Sequence, residues 1–374
     1  MPGLALSRES GWEMTSVQPI DVDPLLQRMW EQGGSDLLLT GGSPPRLRVS
    51  GRLSPVGDEV LDSAAIALTV EAMLTPEQRV GFREDKDIDF AFSWKGLGRL
   101  RANAFMQRGS VALELRMIPS RIPGMAELGL PPVAAGMADR IRGLVLVTGP
   151  TGSGKSTTLA SIVDHINEHR ELHILTIEDP IEYLHRHKRS VVNQRAVGSD
   201  TPSFERALRA ALREDPDVLL LGEMRDLESI QIALTMAETG HMVFATLHTN
   251  DAAQAVDRII DVFPGDRQDQ IRVQLGASLA AVIAQRLVPR IGGGMVAAFE
   301  VLMATAATRN LIREGKTSQL RNVMATGQRD GMLTLETSLS TLVRTGVITY
   351  ESALAVSNYP KEIVGRPSAP RAAA

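Results

Sequence analysis

The run Gly149-Pro150-Thr151-Gly152-Ser153-Gly154-Lys155-Ser156-Thr157 constrains this chain most, because it matches the phosphate-loop pattern G-x-x-x-x-G-K-[ST]. Leu144–Thr148 reads as a buried strand entering the loop, and Thr158–Asn167 reads as the helix leaving it. Glycines let the backbone turn its N–H groups inward, and the helix N-terminus adds the positive end of its dipole. In such a loop Lys155 reaches the β- and γ-phosphates and Ser156 ligates Mg2+. Strand, loop, Lys-Ser and helix in that order outweigh an ordinary glycine-rich turn. The chain is expected to bind a nucleotide.

At 374 residues the chain exceeds one ordinary core, and two domains with tails are expected. A net charge of −4, a pI near 6.0 and no basic–aromatic strip argue against a nucleic-acid partner. The absence of cysteine excludes disulfides and thiolate metal sites. No run approaches 18 apolar residues, and the first ten residues lack a basic start followed by an apolar stretch. A cytoplasmic setting is expected.

Residues 1–18 are aperiodic and read as a flexible tail. Residues 19–119 combine helices near 23–30 and 63–73 with short strands, and the pattern predicts a small α+β domain. Within it, Asp87–Trp94 and Arg99–Phe105 alternate with period two and are joined at Gly96-Leu97-Gly98 as a hairpin. Residues 120–142, rich in Pro and Gly, read as a linker with a short helix. From residue 143 to 304 strands at 144–148, 173–177, 217–221, 242–247 and 296–302 alternate with helices. That alternation predicts an α/β fold with a mostly parallel sheet covered on both faces. Residues 305–360 read as helical, broken at Gly315, Gly327, Gly331 and Gly346, and 361–374 as a disordered tail.

Asp217–Glu223 is an apolar strand ending in a carboxylate, about where a phosphate-loop fold places an acid for Mg2+. Glu178, Asp179 and Glu182 follow another buried strand, at the end where open α/β sheets bind ligands. One of them can polarise an attacking water, or the cluster is a solvated acidic turn; spacing leaves both readings open. His241 and His248 bracket a strand seven residues apart, which places them on opposite faces and argues against one shared metal. His248, with Thr246 and Thr249, is a candidate sensor of phosphate state. Arg206, Arg209 and Arg213 read as a solvated helix face, and Arg101, Arg108 and Arg116 as surface charge or as arginines lent to a nucleotide.

Taken in order, the blocks Gly143–Thr158, Ile177–Tyr183, Leu212–Asp226 and Ala237–Thr249 resemble the Walker A, Asp-box, Walker B and His-box motifs of the secretion ATPase superfamily. Within it the chain resembles the PilT-like type IV pilus retraction ATPases, over about residues 20 to 358. Ser35-Asp36-Leu37 belongs to the resemblance, as does Thr308-Arg309-Asn310-Leu311-Ile312-Arg313-Glu314, similar to a retraction-associated motif A-I-R-N-L-I-R-E. Thr308 stands where that motif usually has Ile.

The resemblance implies a PAS-like N-terminal domain, a RecA-like ATPase domain with a helical C-terminal part, and a homo-hexameric ring using ATP and Mg2+. It implies that Lys155 binds phosphate, Ser156 and Glu223 serve the metal, and Glu182 is the general base. His241 and His248 would report nucleotide state, and Arg101, Arg108 and Arg116 would contact nucleotide. It further implies a pilus platform protein of the inner membrane as partner, with the ATPase peripheral to the cytoplasmic face. Assembly ATPases of pili and of type II secretion usually carry a tetracysteine zinc site and a longer N-terminal region, which favours retraction here. The alternatives are a secretion or pilus-assembly ATPase of the same superfamily, or an ATP-binding adaptor of such a motor.

Overall fold

The computed structural model describes residues 17–365 apart from residues 50, 96–97 and 120. They divide into two units, one up to Ile118 and one from Pro119 onward. Most of the two tails expected at 1–18 and 361–374, and the Gly96-Leu97 part of the hairpin turn, lie outside the described residues.

The first unit is built on six antiparallel strands: β1 (Asp36–Thr40), β2 (Arg46–Val49), β3 (Arg52–Pro55), β4 (Asp87–Trp94), β5 (Gly98–Gln107) and β6 (Ser110–Ile118). Their order is β3-β2-β1-β6-β5-β4. Alternation along β5 buries Leu100, Ala102 and Ala104 on one face. That face packs with Leu37, Leu39, Leu113 and Leu115 beneath Leu26 and Met29 of the helix Asp23–Glu31 and Ile66 of the helix Ser63–Met73. Each such side chain contributes about 1.5–3 kcal/mol by leaving water. A further helix, Pro76–Asp85, was not foreseen although its start is signalled: Thr75 and Gln78 exchange side-chain and backbone hydrogen bonds as a capping box.

The second unit carries β7 (Gly143–Thr148), β8 (His173–Glu178), β9 (Val191–Ala196), β10 (Val218–Leu221), β11 (Met242–Leu247), β12 (Leu279–Pro289) and β13 (Met295–Met303). The order is β13-β12-β7-β11-β10-β8-β9, parallel throughout except for β13. Every residue of β7, β10 and β11 is buried, as expected of strands covered on both faces. β9 and β12 were not foreseen. β9 carries Asn193, Gln194 and Arg195 among its six residues, too polar for the apolar-run pattern. β12 follows the helix Gly265–Ser278 directly, with no loop between them, Gly276 lies inside the last helical turn and not after it, and the strand's alanines fit either state. The last helices are short, and Gly315, Gly331 and Gly346 between them take positive φ.

Parallel order sets the carboxyl ends of β7, β11, β10 and β8 side by side along one edge of the sheet. Behind them, Glu300 on β13 is buried and accepts the Ala252 amide at 2.8 Å, at the start of the helix Ala252–Asp261. Burial pushes its carboxyl up to about 7; the Ala252 and Leu335 amides pull against this, while Asp251 and Glu336 add to it. The native state therefore binds this proton more tightly than the unfolded chain. The stability it contributes is fully present below about 4.5 and is lost as pH rises through about 7. Glu300→Gln, with a neutral side chain of the same shape, is expected to flatten the fall in urea-denaturation stability between about pH 5 and pH 8.

Candidate functional site

Gly149–Gly154 turn the chain from β7 into the helix Lys155–His169. Gly149 and Gly154 adopt φ of +149° and +89°. A Cβ on Gly149 would lie 2.3 Å from the Gln285 carbonyl oxygen, and one on Gly154 would lie 2.8 Å from Gln285 Nε2. Glycine is required at both positions. Lys155 is buried and its Nζ donates to the carbonyls of Gly149 at 2.8 Å and Pro150 at 3.1 Å. Burial lowers the Lys155 pKa, and the negative charge of Glu223 opposes that shift.

The start of the helix is informative. Helices beginning at Phe204, Leu227, Ala252, Ala306, Leu335 and Tyr350 each have a Ser, Thr or Asp side chain on their first free amides. The helix at Lys155, like those at Asp23, Pro132, Gly265 and Leu320, has no side-chain cap, and it alone of these has a left-handed glycine, Gly154, at the cap position. Its first-turn amides thus keep their hydrogen-bonding capacity for an anion beside the Lys155 ammonium. Pro150, Thr151, Gly152 and Ser153 form the arch of this loop, Ser156 is exposed on the first turn, and Thr157 Oγ1 lies 2.9 Å from Tyr183 Oη.

Glu223 lies just beyond β10, its Oε2 2.7 Å from Arg225 and 3.4 Å from His248 Nε2. Burial alone would raise its pKa; the Arg225 hydrogen bond and the His248 and Arg225 charges outweigh it and hold the carboxyl below the ordinary range. Threonines stitch the neighbouring strand ends. Thr246 donates to the Gly222 carbonyl, and Thr148 Oγ1 donates to the Thr249 carbonyl at 2.7 Å and accepts the Thr249 amide at 3.1 Å. His248 is thereby brought to Glu223. His241 is not: it precedes β11, its Nδ1 donates to the Met236 carbonyl at 3.0 Å, and a strand of roughly 20 Å separates it from His248.

The acidic turn divides its three carboxylates. Glu178 Oε1 accepts from Thr176 at 2.6 Å and Gln194 at 3.3 Å, while Oε2 accepts the Glu182 amide at 3.4 Å. Its pKa is raised by burial against those hydrogen bonds. Glu178 holds the turn, and the Glu182 and Asp179 carboxylates face solvent. Gln194 also donates to the Tyr183 carbonyl at 2.8 Å and accepts the His185 amide at 2.8 Å. Sequence reasoning passed over Gln194, Tyr183, Thr148 and Gln285; the available signal was a polar residue at a strand or loop position otherwise apolar.

The three arginines of the first unit lie on its own sheet. Arg116 on β6 is paired with buried Asp36 at 2.6 Å and stands opposite Arg101 on β5, which lies 3.7 Å from Asp89. Arg108 is exposed in the turn between β5 and β6, at φ +47°. Arg206, Arg209 and Arg213 are exposed, with Arg209 paired to Glu205 and Glu228.

The segment 308–314 is partly internal. Thr308 is fully buried and donates to the Met303 carbonyl at 2.9 Å. Arg309 donates to the carbonyls of Ala277 at 2.6 Å, Leu279 at 2.9 Å and Ala304 at 3.0 Å, and also to Gly276. It closes the C-terminal end of the helix Gly265–Ser278, where a cation also suits the dipole. Ile312 is buried and Leu311 partly so, whereas Asn310, Arg313 and Glu314 are exposed.

The chain is similar to known proteins over most of its length. Residues 113–354 match the family described as type II/IV secretion system protein. The chain is 47% identical over 342 residues to the type IV pilus retraction ATPase PilT of Pseudomonas aeruginosa, covering 91% of this chain and 99% of that one. It is 47% identical over 310 residues to a twitching motility protein of Neisseria gonorrhoeae, covering 83% of each. Among solved structures it is similar to the pilus retraction motor PilT with bound ADP, at a TM-score of 0.86 and 47% identity, covering 92% and 98% of the two chains.

Arg309→Met removes a charged donor from several carbonyls at once and is expected to cost on the order of 2–4 kcal/mol in urea denaturation. Arg313→Met, on the exposed side of the same helix, is expected to leave the unfolding midpoint near that of the unaltered chain.

Proposed function

The chain belongs to the type II/IV secretion system protein family and is an ATPase of its pilus-retraction branch, and we propose that it acts as a homo-hexameric motor. The observation that carries this reading is likeness over nearly the full length of a retraction ATPase, joined to the convergence of Lys155, Glu223 and His248 at the ends of parallel strands. In this reading the first unit is PAS-like and the second RecA-like. No helix among the described residues is long and apolar enough to cross a membrane, which is consistent with a protein that works on the cytoplasmic face through an inner-membrane platform protein.

The placement of Lys155, Ser156, Glu182, Glu223 and His248 supports the following division of work. Amides of Gly152 and of Gly154–Thr157 face the phosphates of ATP, the Ser153 amide being donated to the Pro150 carbonyl at 3.2 Å, with the Lys155 ammonium at the β- and γ-phosphates. Ser156 supplies a hydroxyl and Glu223 an ionised carboxylate, oxygen donors that suit Mg2+. When bound, Mg2+ neutralises charge on the phosphate oxygens. The solvent-facing Glu182 carboxylate orients the attacking water and takes its proton. His248, against Glu223, reads the presence of the γ-phosphate. His241 at the far end of β11, and Arg101, Arg108 and Arg116 of the first unit, enter as nucleotide-state and nucleotide-contact residues by resemblance alone.

Lys155→Ala and Glu223→Ala are expected to reduce ATP hydrolysis by at least about a hundredfold, measured as phosphate release. A deletion strain is expected to be hyperpiliated and non-twitching, with movement restored by the intact chain and by neither variant. Loss of pili on deletion would instead assign the chain to pilus assembly.

A further inference from the structure

We propose that Gln285 is the positioning residue of the phosphate loop: its carboxamide fixes the Ser153–Gly154 peptide plane, so that the loop amides face the nucleotide phosphates. The role rests on the nucleotide-binding reading of Gly149–Thr157 and extends it to a strand outside every motif.

Gln285 is 4% exposed and lies on β12, the parallel neighbour of β7. Its position is one residue beyond Ala284, the partner of Thr148 at the end of β7. Nε2 donates to the Ser153 carbonyl at 2.7 Å, and Oε1 accepts from Thr158 Oγ1 at 2.7 Å. Its own carbonyl oxygen lies 2.3 Å from where a Gly149 Cβ would be, too close for one to fit. One side chain therefore touches the loop at its last arch residue and at the first turn of the helix, while its backbone limits the entry.

The consequence is geometric. In a trans peptide the C=O and the following N–H point in opposite directions. Drawing the Ser153 carbonyl toward β12 sends the Gly154 N–H away from it. The Ser153 hydroxyl is buried with no hydrogen-bond partner among the described residues and does not do this work. Lys155 treats the Gly149 and Pro150 carbonyls in the same manner, so the loop is held from both ends. The rest of the strand run Leu279–Ala284 is apolar, and a buried carboxamide there is costly unless both of its ends are bonded. A carboxamide carries an amino group that donates and an oxygen that accepts, and this position uses one hydrogen bond of each kind. Leucine supplies neither, and an ionised glutamate lacks the donor.

The experiment uses the full chain with Gln285→Leu, Gln285→Glu and, as reference, Lys155→Ala. ADP binding is read by calorimetry, ATP hydrolysis by phosphate release, and folding by thermal melting without nucleotide. Both Gln285 variants are expected to melt cooperatively while their Kd for ADP rises at least about tenfold and kcat/KM for ATP falls by at least as much. A residue that served the fold alone would lower the melting temperature and leave the ADP affinity of the folded protein unchanged. ADP affinity and kcat/KM within about twofold of the unaltered chain, in either folded variant, would overturn the proposal. If Gln285→Leu fails to fold, Gln285→Glu, of the same shape and still accepting from Thr158, decides. Lys155→Ala with undiminished binding and hydrolysis would mean that the loop reading itself is wrong. Lys155→Ala inactive beside normal Gln285 variants would remove only the role of Gln285.

Discussion

Peptide planes between Gly149 and Lys155 must present their N–H groups to one side, and the rest of the site depends on that constraint. The loop makes one backbone hydrogen bond of its own, from the Ser153 amide to the Pro150 carbonyl at 3.2 Å, which is not enough to hold the arrangement, because its carbonyls on the opposite side also need partners. They find them in different places. Lys155 takes those of Gly149 and Pro150, and Gln285 takes that of Ser153. The same crowding explains the glycines: Gln285 approaches Gly149 and Gly154 so closely that no Cβ fits.

Strand order supplies the second half of the site. Glu223 and His248 stand just beyond the regular ends of β10 and β11, and Glu223 is flanked by two backbone bonds, from the Gly222 amide to the Ile177 carbonyl at 2.8 Å and from the Met224 amide to the Thr246 carbonyl at 3.2 Å. Threonines extend the pairing beyond the sheet, Thr246 to Gly222 and Thr148 to Thr249, so two acquired contacts hold the acid and the imidazole 3.4 Å apart. Tyr183 does similar work between the acidic turn and Thr157, with Gln194 of the edge strand beneath it. Rigid placement of this kind matters because a charge displaced by an ångström loses much of its value to a reacting phosphate.

What the sequence made legible was local. Walker A residues fall within nine positions, and strand, loop and helix follow one another without interruption, so the motif carried its own context. The apolar runs of β7, β8, β10 and β11 were equally plain, and they position Glu223 and the acidic turn. The supports were not legible, because their partners are remote: Gln285 meets Ser153 across 132 residues, and Arg309 meets Gly276 across 33. Glu178 and Glu182 could not be separated by spacing either. Only the direction of the turn shows that the first is spent on Thr176, Gln194 and the Glu182 amide, leaving the second open to solvent.

The segment 308–314 has to be divided on the same grounds. Thr308 is a polar residue in a fully buried position, yet its hydroxyl is donated to the Met303 carbonyl, so no orphan polar group results. Arg309 and Ile312 are equally committed inward, which leaves Asn310, Arg313 and Glu314 as the side chains able to meet another molecule. Changes at the inward positions alter the fold first, because Arg309 bonds the carbonyl of Leu279, where β12 begins. Six residues along that strand, roughly 20 Å at strand rise, Gln285 holds the phosphate loop. Loss of activity on mutating Arg309 is therefore no measure of partner contact, whereas loss on mutating Arg313 or Glu314, whose polar contacts are with Asn310 and Lys316 on the same exposed surface, points to one.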